Sequence, residues 1–151
     1  MDIEDAPARL RRLPSWLVSQ AALVAQRTVN DRLGLIGGQR REFSLLTALD
    51  ESGPDSQAAL SRRCGVDRSD MVALVNDLAR GGLVERRPDE TDRRRNVVSL
   101  TAAGRKRLQA LREAIAAAQD ELLAPLSPSE RDRLVALLTT VLEHHPRAMP
   151  A

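Results

Sequence analysis

The sequence has no tyrosine, one phenylalanine (Phe43) and one tryptophan (Trp16), so its core has to be filled by Leu, Val and Ala rather than by aromatic rings. Its single cysteine, Cys64, excludes an intrachain disulfide framework and any cysteine-rich zinc site. No segment approaches the ~18 apolar residues that a membrane span requires. The opening stretch MDIEDAPARLRRLPSW is acidic and then basic, without the apolar centre of a secretion signal. A cytoplasmic protein with no membrane partner is therefore expected. Lysine is nearly missing too: Lys106 is the only one, and arginine carries almost all the positive charge.

A chain of 151 residues is long enough for one domain with a real core and short for two independent ones. The formal net charge of +2 is too small to indicate a partner, so the placement of charge matters more than its sum. Arginine suits planar, bidentate contacts with phosphate and guanine, although a GC-rich coding bias accounts for the same usage.

Periodicity and punctuation give the order helix, helix, helix, helix, hairpin, helix, helix. The first helix runs from about Pro14, tolerated in an opening turn, to the region of Gly34, before the loop GLIGGQ. The second spans about Arg40 to Asp50, with Phe43, Leu46 and Leu49 at helical spacing, and ESGPDS ends it through Gly53 and Pro54. Ser56 can cap a short third helix, QAALSRRC, which stops at Gly65. Asp67 can cap a fourth, RSDMVALVNDLAR, closed by Gly81 and Gly82. Two helices joined by a short Gly-containing turn make a helix-turn-helix. LVERR and NVVSL then read as hairpin arms. Thr101 can cap a long helix carrying Leu108, Leu111, Ile115 and Leu122, and SPSE, from Ser127 to Glu130, is a capping box for a last helix bearing Leu134, Leu137, Leu138, Val141 and Leu142.

On a helical wheel the fourth helix separates Met71, Leu74, Val75 and Leu78 on a core side from Ser69, Ala73, Asn76 and Arg80 on the other, with Asp70 and Asp77 at its edge. The second face is either an ordinary solvated one or a surface that enters a major groove, where Asn can read adenine and Asp can accept from cytosine. The hairpin loop DETDRRR tips the balance towards DNA. A hairpin directly after a helix-turn-helix is a wing, and arginines at its tip, Arg93, Arg94 and Arg95, suit the negative potential of a narrow minor groove. Asp92 is placed to hold one of them extended by a charge-assisted bond. Surface ion pairs in a solvated loop are the plainer alternative.

The stretch SQAALSRRCGVDRSDMVALVNDLARGGLVERRPDETDRRR, followed by Leu100, Thr101 and Gly104 in the pattern Leu-Thr-x-x-Gly, resembles the helix-turn-helix and wing of the MarR family of transcriptional regulators. Flanking helices extend the resemblance from about Pro14 to His145. It implies a mainly α winged helix-turn-helix with a helical dimerisation region: residues 1–35 in that region, 36–100 as the DNA-binding lobe, 101–145 as C-terminal dimerisation helices and 146–151 as a tail. It further implies a homodimer on a pseudopalindromic operator, Arg94 as the minor-groove arginine, Asp92 as its orienting partner, and Arg68, Ser69, Asp70, Ala73 and Asn76 as the DNA face of the recognition helix. Repression of a nearby promoter, relieved by a small anionic or phenolic effector, is the function such a resemblance suggests. An acidic Asp70 on a DNA face departs from that pattern.

No Ser/His/Asp grouping, phosphate-binding Gly loop or paired carboxylates can be argued, so neither an enzyme nor a cofactor is expected. The adjacent His144 and His145 lack the i, i+4 spacing of a helical metal pair, so no metal site is expected. Trp16 is a candidate lining residue for an effector cleft, with burial in a dimer core as its alternative. Cys64 reads as a small buried hydrophobe or as a redox switch. A helical interaction module that keeps the fold without binding DNA is a further reading.

Overall fold

A computed structural model describes residues 3–145; the expected tail at 146–151 extends beyond the described residues. Short 3-10 turns at Ile3–Asp5 and Leu10–Arg12 precede α1 (Pro14–Gly34), α2 (Arg40–Ser52), α3 (Gln57–Cys64) and α4 (Arg68–Arg80). A hairpin of β1 (Val84–Pro88) and β2 (Asn96–Leu100) follows, then α5 (Ala102–Leu122) and α6 (Pro128–His144). The element order is the expected one; the two opening 3-10 turns were not anticipated.

Local chemistry sets the boundaries. Ser56, Asp67, Thr101 and Ser127 each accept a backbone N–H of the helix they precede, satisfying donors that the first turn leaves open. At Ser127 the arrangement is reciprocal, because the Glu130 carboxylate accepts the Ser127 N–H at 3.0 Å. Gly65 ends α3 in the left-handed region at φ 62°, which glycine adopts without a Cβ penalty.

The core is aliphatic. Leu33 of α1, Leu45, Leu46 and Leu49 of α2, Leu60 of α3, Met71 and Val75 of α4, Val84 and Val98 of the hairpin, and Leu108 and Leu111 of α5 form one buried cluster. Each such leucine contributes about 1.5–3 kcal/mol by leaving water. Leu74 is only half-buried, and Phe43 packs at the margin of the cluster.

Antiparallel pairing sets Val84 opposite Leu100 and Pro88 opposite Asn96. Asp55, in the turn before α3, adds a bridge to the hairpin: its N–H donates to the Val98 carbonyl at 3.2 Å and its carbonyl accepts the Val98 N–H at 2.8 Å. The wing is thereby tied to the start of the helix-turn-helix. On the other flank α1 packs along α5. The apolar side of α6 finds much less cover within the chain: Leu137, Leu138, Val141 and Leu142 are 40–62% exposed, while Leu134 is half-buried.

Candidate nucleic-acid interface

The turn between α3 and α4 is held from inside, because the Ser61 hydroxyl donates to the Val66 carbonyl at 2.8 Å. Asp67 then fixes the start of α4 by accepting from the Ser69 N–H at 3.0 Å and the Ser69 hydroxyl at 2.6 Å. These bonds, the hydroxyl first, hold the Asp67 carboxyl below its ordinary range. Ser69 consequently spends its hydroxyl proton on the cap and presents an acceptor outwards.

Met71, Val75 and Leu78 face the core, which turns Arg68, Ser69, Asp70, Ala73 and Asn76 to solvent on one exposed helix. Asp70 is not left bare, since Arg41 of α2 pairs with it at 3.0 Å. An exposed pair adds little stability, but it offsets the negative charge that made Asp70 anomalous in the sequence. Asn76 carries a constraint the sequence did not reveal. Arg86 of β1 donates through Nη2 to Asn76 Oδ1 and through Nε to Gln57 Oε1, the latter at 3.1 Å.

The wing loop is closed by its own backbone: the Asp89 N–H donates to the Arg95 carbonyl at 2.8 Å and the Arg95 N–H to the Asp92 carbonyl at 3.0 Å. Asp89 also accepts from the Thr91 N–H and hydroxyl, both at 2.9 Å, and these bonds push its carboxyl below the usual range. At the tip, Asp92 Oδ1 accepts from the Arg94 N–H at 3.1 Å and from Arg94 Nε at 3.2 Å, while the Arg94 side chain is 92% exposed. Arg93 and Arg95 are exposed on either side of it.

Where the wing returns to the helical region, Thr101 Oγ1 lies 2.7 Å from the Gly82 carbonyl and 3.0 Å from that of Leu83, and accepts the Gly104 N–H at 3.0 Å. A Cβ at Gly104 would stand 2.1 Å from the Leu83 carbonyl oxygen. The Leu-Thr-x-x-Gly pattern thus fastens α5 against the start of β1. One turn further on, Arg107 donates to both oxygens of Glu42, at 2.6 and 3.3 Å, and to the Ile36 carbonyl at 2.9 Å. The Glu42 hydrogen bonds raise the guanidinium's affinity for its proton. Beside this pair a cleft of about 300 Å³ lies between α2, α4 and α5, with Gln39, Glu42, Leu74, Leu78 and Arg107 among its walls.

The remaining candidates lie apart. Trp16 is half-buried in the first turn of α1. Cys64 is half-buried at the end of α3, and burial pushes its thiol up, against the opposing charge of Arg63. His144 and His145 meet edge to face, ring centres 4.8 Å apart. Among the described residues no group of three or more His, Cys, Asp or Glu could hold a metal ion, and no helix is long and apolar enough to cross a membrane.

A model of the MarR family matches residues 36–95, the stretch from the loop before α2 to the wing tip. The crystal structure of a "probable transcriptional regulator" from Pseudomonas aeruginosa shares 32% identity and superposes with a TM-score of 0.76, covering 88% of this chain and 99% of that one. The chain belongs to the MarR family. Among its relatives the HTH-type transcriptional repressor NicR of Pseudomonas putida is 31% identical over 68% of this chain and 65% of its own length. The chain spans slightly less than two thirds of the length of NicR and of a putative regulatory protein of Thauera aromatica, 65% and 66%. A transcriptional repressor, CouR, solved on a 23-mer DNA duplex, is 26% identical with a TM-score of 0.79 over 89% of this chain and 95% of that one. The helix-turn-helix, hairpin and flanking helices described above are a MarR-family winged helix, and transcription regulation is the role to which these relatives point.

Proposed function

We propose that this MarR-family chain is a homodimeric, sequence-specific DNA-binding regulator that represses a nearby promoter. In this reading Arg68, Ser69, Asp70, Ala73 and Asn76 line the face of α4 that enters a major groove, and Arg93, Arg94 and Arg95 reach phosphate and the adjoining minor groove. The observation that carries it is the wing tip: Asp92 holds Arg94 at two points while the side chain remains 92% exposed, the state of an arginine ordered before it meets a groove. CouR on its duplex supports the same use of this fold.

A second copy is the natural cover for the apolar surface left at the helical end. Leu13, Leu17 and Val18 of the N-terminal region and Leu137, Leu138, Val141 and Leu142 of α6 are 39–62% exposed in the single chain, apolar surface of the kind that interfaces cover. This placement supports a division with residues 1–35 and 101–145 for dimerisation and 36–100 for DNA. Two-fold symmetry then sets the half-sites about one helical turn apart.

The cleft beside Glu42 and Arg107 supports relief of repression by a small molecule, because an occupant there would sit between α4 and α5 and alter their separation. Its volume of about 300 Å³ is at the lower end of small-molecule sites.

The test is fluorescence anisotropy of the full chain on its own upstream intergenic DNA and on scrambled DNA at equal salt, with Arg94→Ala alongside. Preference for the intergenic DNA that Arg94→Ala loses supports the reading; a protein that binds both DNAs alike, and a random-fragment selection that enriches nothing, would overturn it.

A further inference from the structure

Arg86 lies two residues beyond buried Val84 on β1, so it points to the same side of the hairpin and projects into the space between the two helices of the helix-turn-helix. Its guanidinium joins three elements: β1, α3 through Gln57 and α4 through Asn76. Arginine has five donors and no acceptor. Only the oxygen of each amide can face it, and that chemistry fixes both amide orientations.

We infer that Arg86 determines base specificity by holding the carbonyl oxygen of Asn76, so that this exposed side chain offers DNA its N–H₂ donors in preference to its oxygen. The inference rests on the reading of α4 as a recognition helix. A free asparagine recognises adenine by accepting from N6 and donating to N7 at once. Arg86 takes one of the two lone pairs of Oδ1 and fixes that oxygen towards β1, so the adenine amino group has to compete with the guanidinium for it, while both N–H donors of Asn76 stay free. Guanine offers two acceptors, O6 and N7, on the same edge, and is the base that such a donor selects. Gln57, the first residue of α3, is held in the same way and presents its N–H₂ group beside the bridge. Arg86 is therefore a positioning residue, acting through Asn76.

The experiment is selection of the full-length protein on a randomised duplex, followed by affinities on the four base pairs at each enriched position, for wild type, Asn76→Ala, Arg86→Met and the double variant. Methionine keeps an apolar stem without the donors. In wild type, one position in each half-site is expected to favour guanine over adenine by about fivefold or more, and Asn76→Ala should flatten that preference. Arg86→Met should move it towards adenine, and the double variant should resemble Asn76→Ala. Adenine at the position sensitive to Asn76→Ala in wild type would overturn the inference while leaving the DNA reading intact. So would an Arg86→Met effect that lowers affinity equally for all four bases, as a structural or phosphate-binding arginine produces. If Arg86→Met does not fold, the wild-type and Asn76→Ala selections alone still decide between guanine and adenine. Absence of any enriched sequence would instead remove the DNA reading, and the inference with it.

Discussion

Arg107 of α5 grips Glu42 of α2 at two points where these two helices meet, with side-chain exposures of 23% and 9%. Sixty-five positions separate the two in sequence. A pair this withdrawn from water is weak evidence of net stability when both partners are present, but removing one strands the other.

Glu42→Gln or Arg107→Met is therefore expected to destabilise the protein by about 2–4 kcal/mol. The double variant should lose less than the sum of the two. Urea unfolding of all four proteins measures this; additive losses would mean that the pair carries no coupling.

Gly104→Ala should destabilise by about 1–3 kcal/mol, because the new methyl would meet the Leu83 carbonyl oxygen, a backbone atom that cannot step aside cheaply. Gly34→Ala is the control, since nothing lies within 4 Å of a Cβ there. Thermal unfolding should separate them clearly, with only Gly104→Ala lowering Tm.

Arg94 and its neighbours are expected to act differently on DNA. Arg94→Ala should reduce operator affinity about tenfold or more without changing Tm. Arg93→Ala or Arg95→Ala should instead flatten the slope of log affinity against log salt by about 0.9, the contribution of one phosphate. A slope unchanged in both variants would place those two arginines in solvent.

Asp67 supplies a pH signature. Its folded-state carboxyl is held below the ordinary 3.8 by the Ser69 hydroxyl and N–H, so the unfolded chain takes up the proton first. The resulting stabilisation is complete above the ordinary carboxylate range and fades as pH falls through the lowered folded value. Carboxyl NMR should show Asp67 titrating below 3.8, and Ser69→Ala should move the midpoint up. A wild-type midpoint at or above the ordinary value contradicts this assignment.

Cys64 should be slow to oxidise. Burial raises its thiol, which leaves little thiolate to react at neutral pH. Cys64→Ser and wild type are expected to bind DNA alike before and after peroxide; release of DNA by wild type alone would restore the redox reading.

The helix boundaries were readable because their causes are local. Ser56, Asp67, Thr101 and Ser127 cap helices that begin at the next residue, and Gly65 ends α3 with a backbone that favours it. Asp92 and Arg94 are two residues apart, so their bond was legible too. The Arg86 bridge was not, because Gln57, Asn76 and Arg86 carry no pattern that distinguishes them from solvated polar residues until α3, α4 and β1 are packed together. The same holds for Arg41 with Asp70 and Arg107 with Glu42, which depend on where α2 crosses its neighbours. Hydrophobic periodicity marked the apolar side of α6 correctly but could not say that its own chain would leave that side so open.

Only Thr101 separates strand β2 from α5, and its hydroxyl and the absent side chain of Gly104 join wing and helix closely. The 21 residues of α5 make a shaft about 30 Å long. A rigid tilt of one degree about Thr101 corresponds to roughly half an ångström at Leu122, so the close fit of Gly104 against Leu83 sets where the last turn of α5 lies.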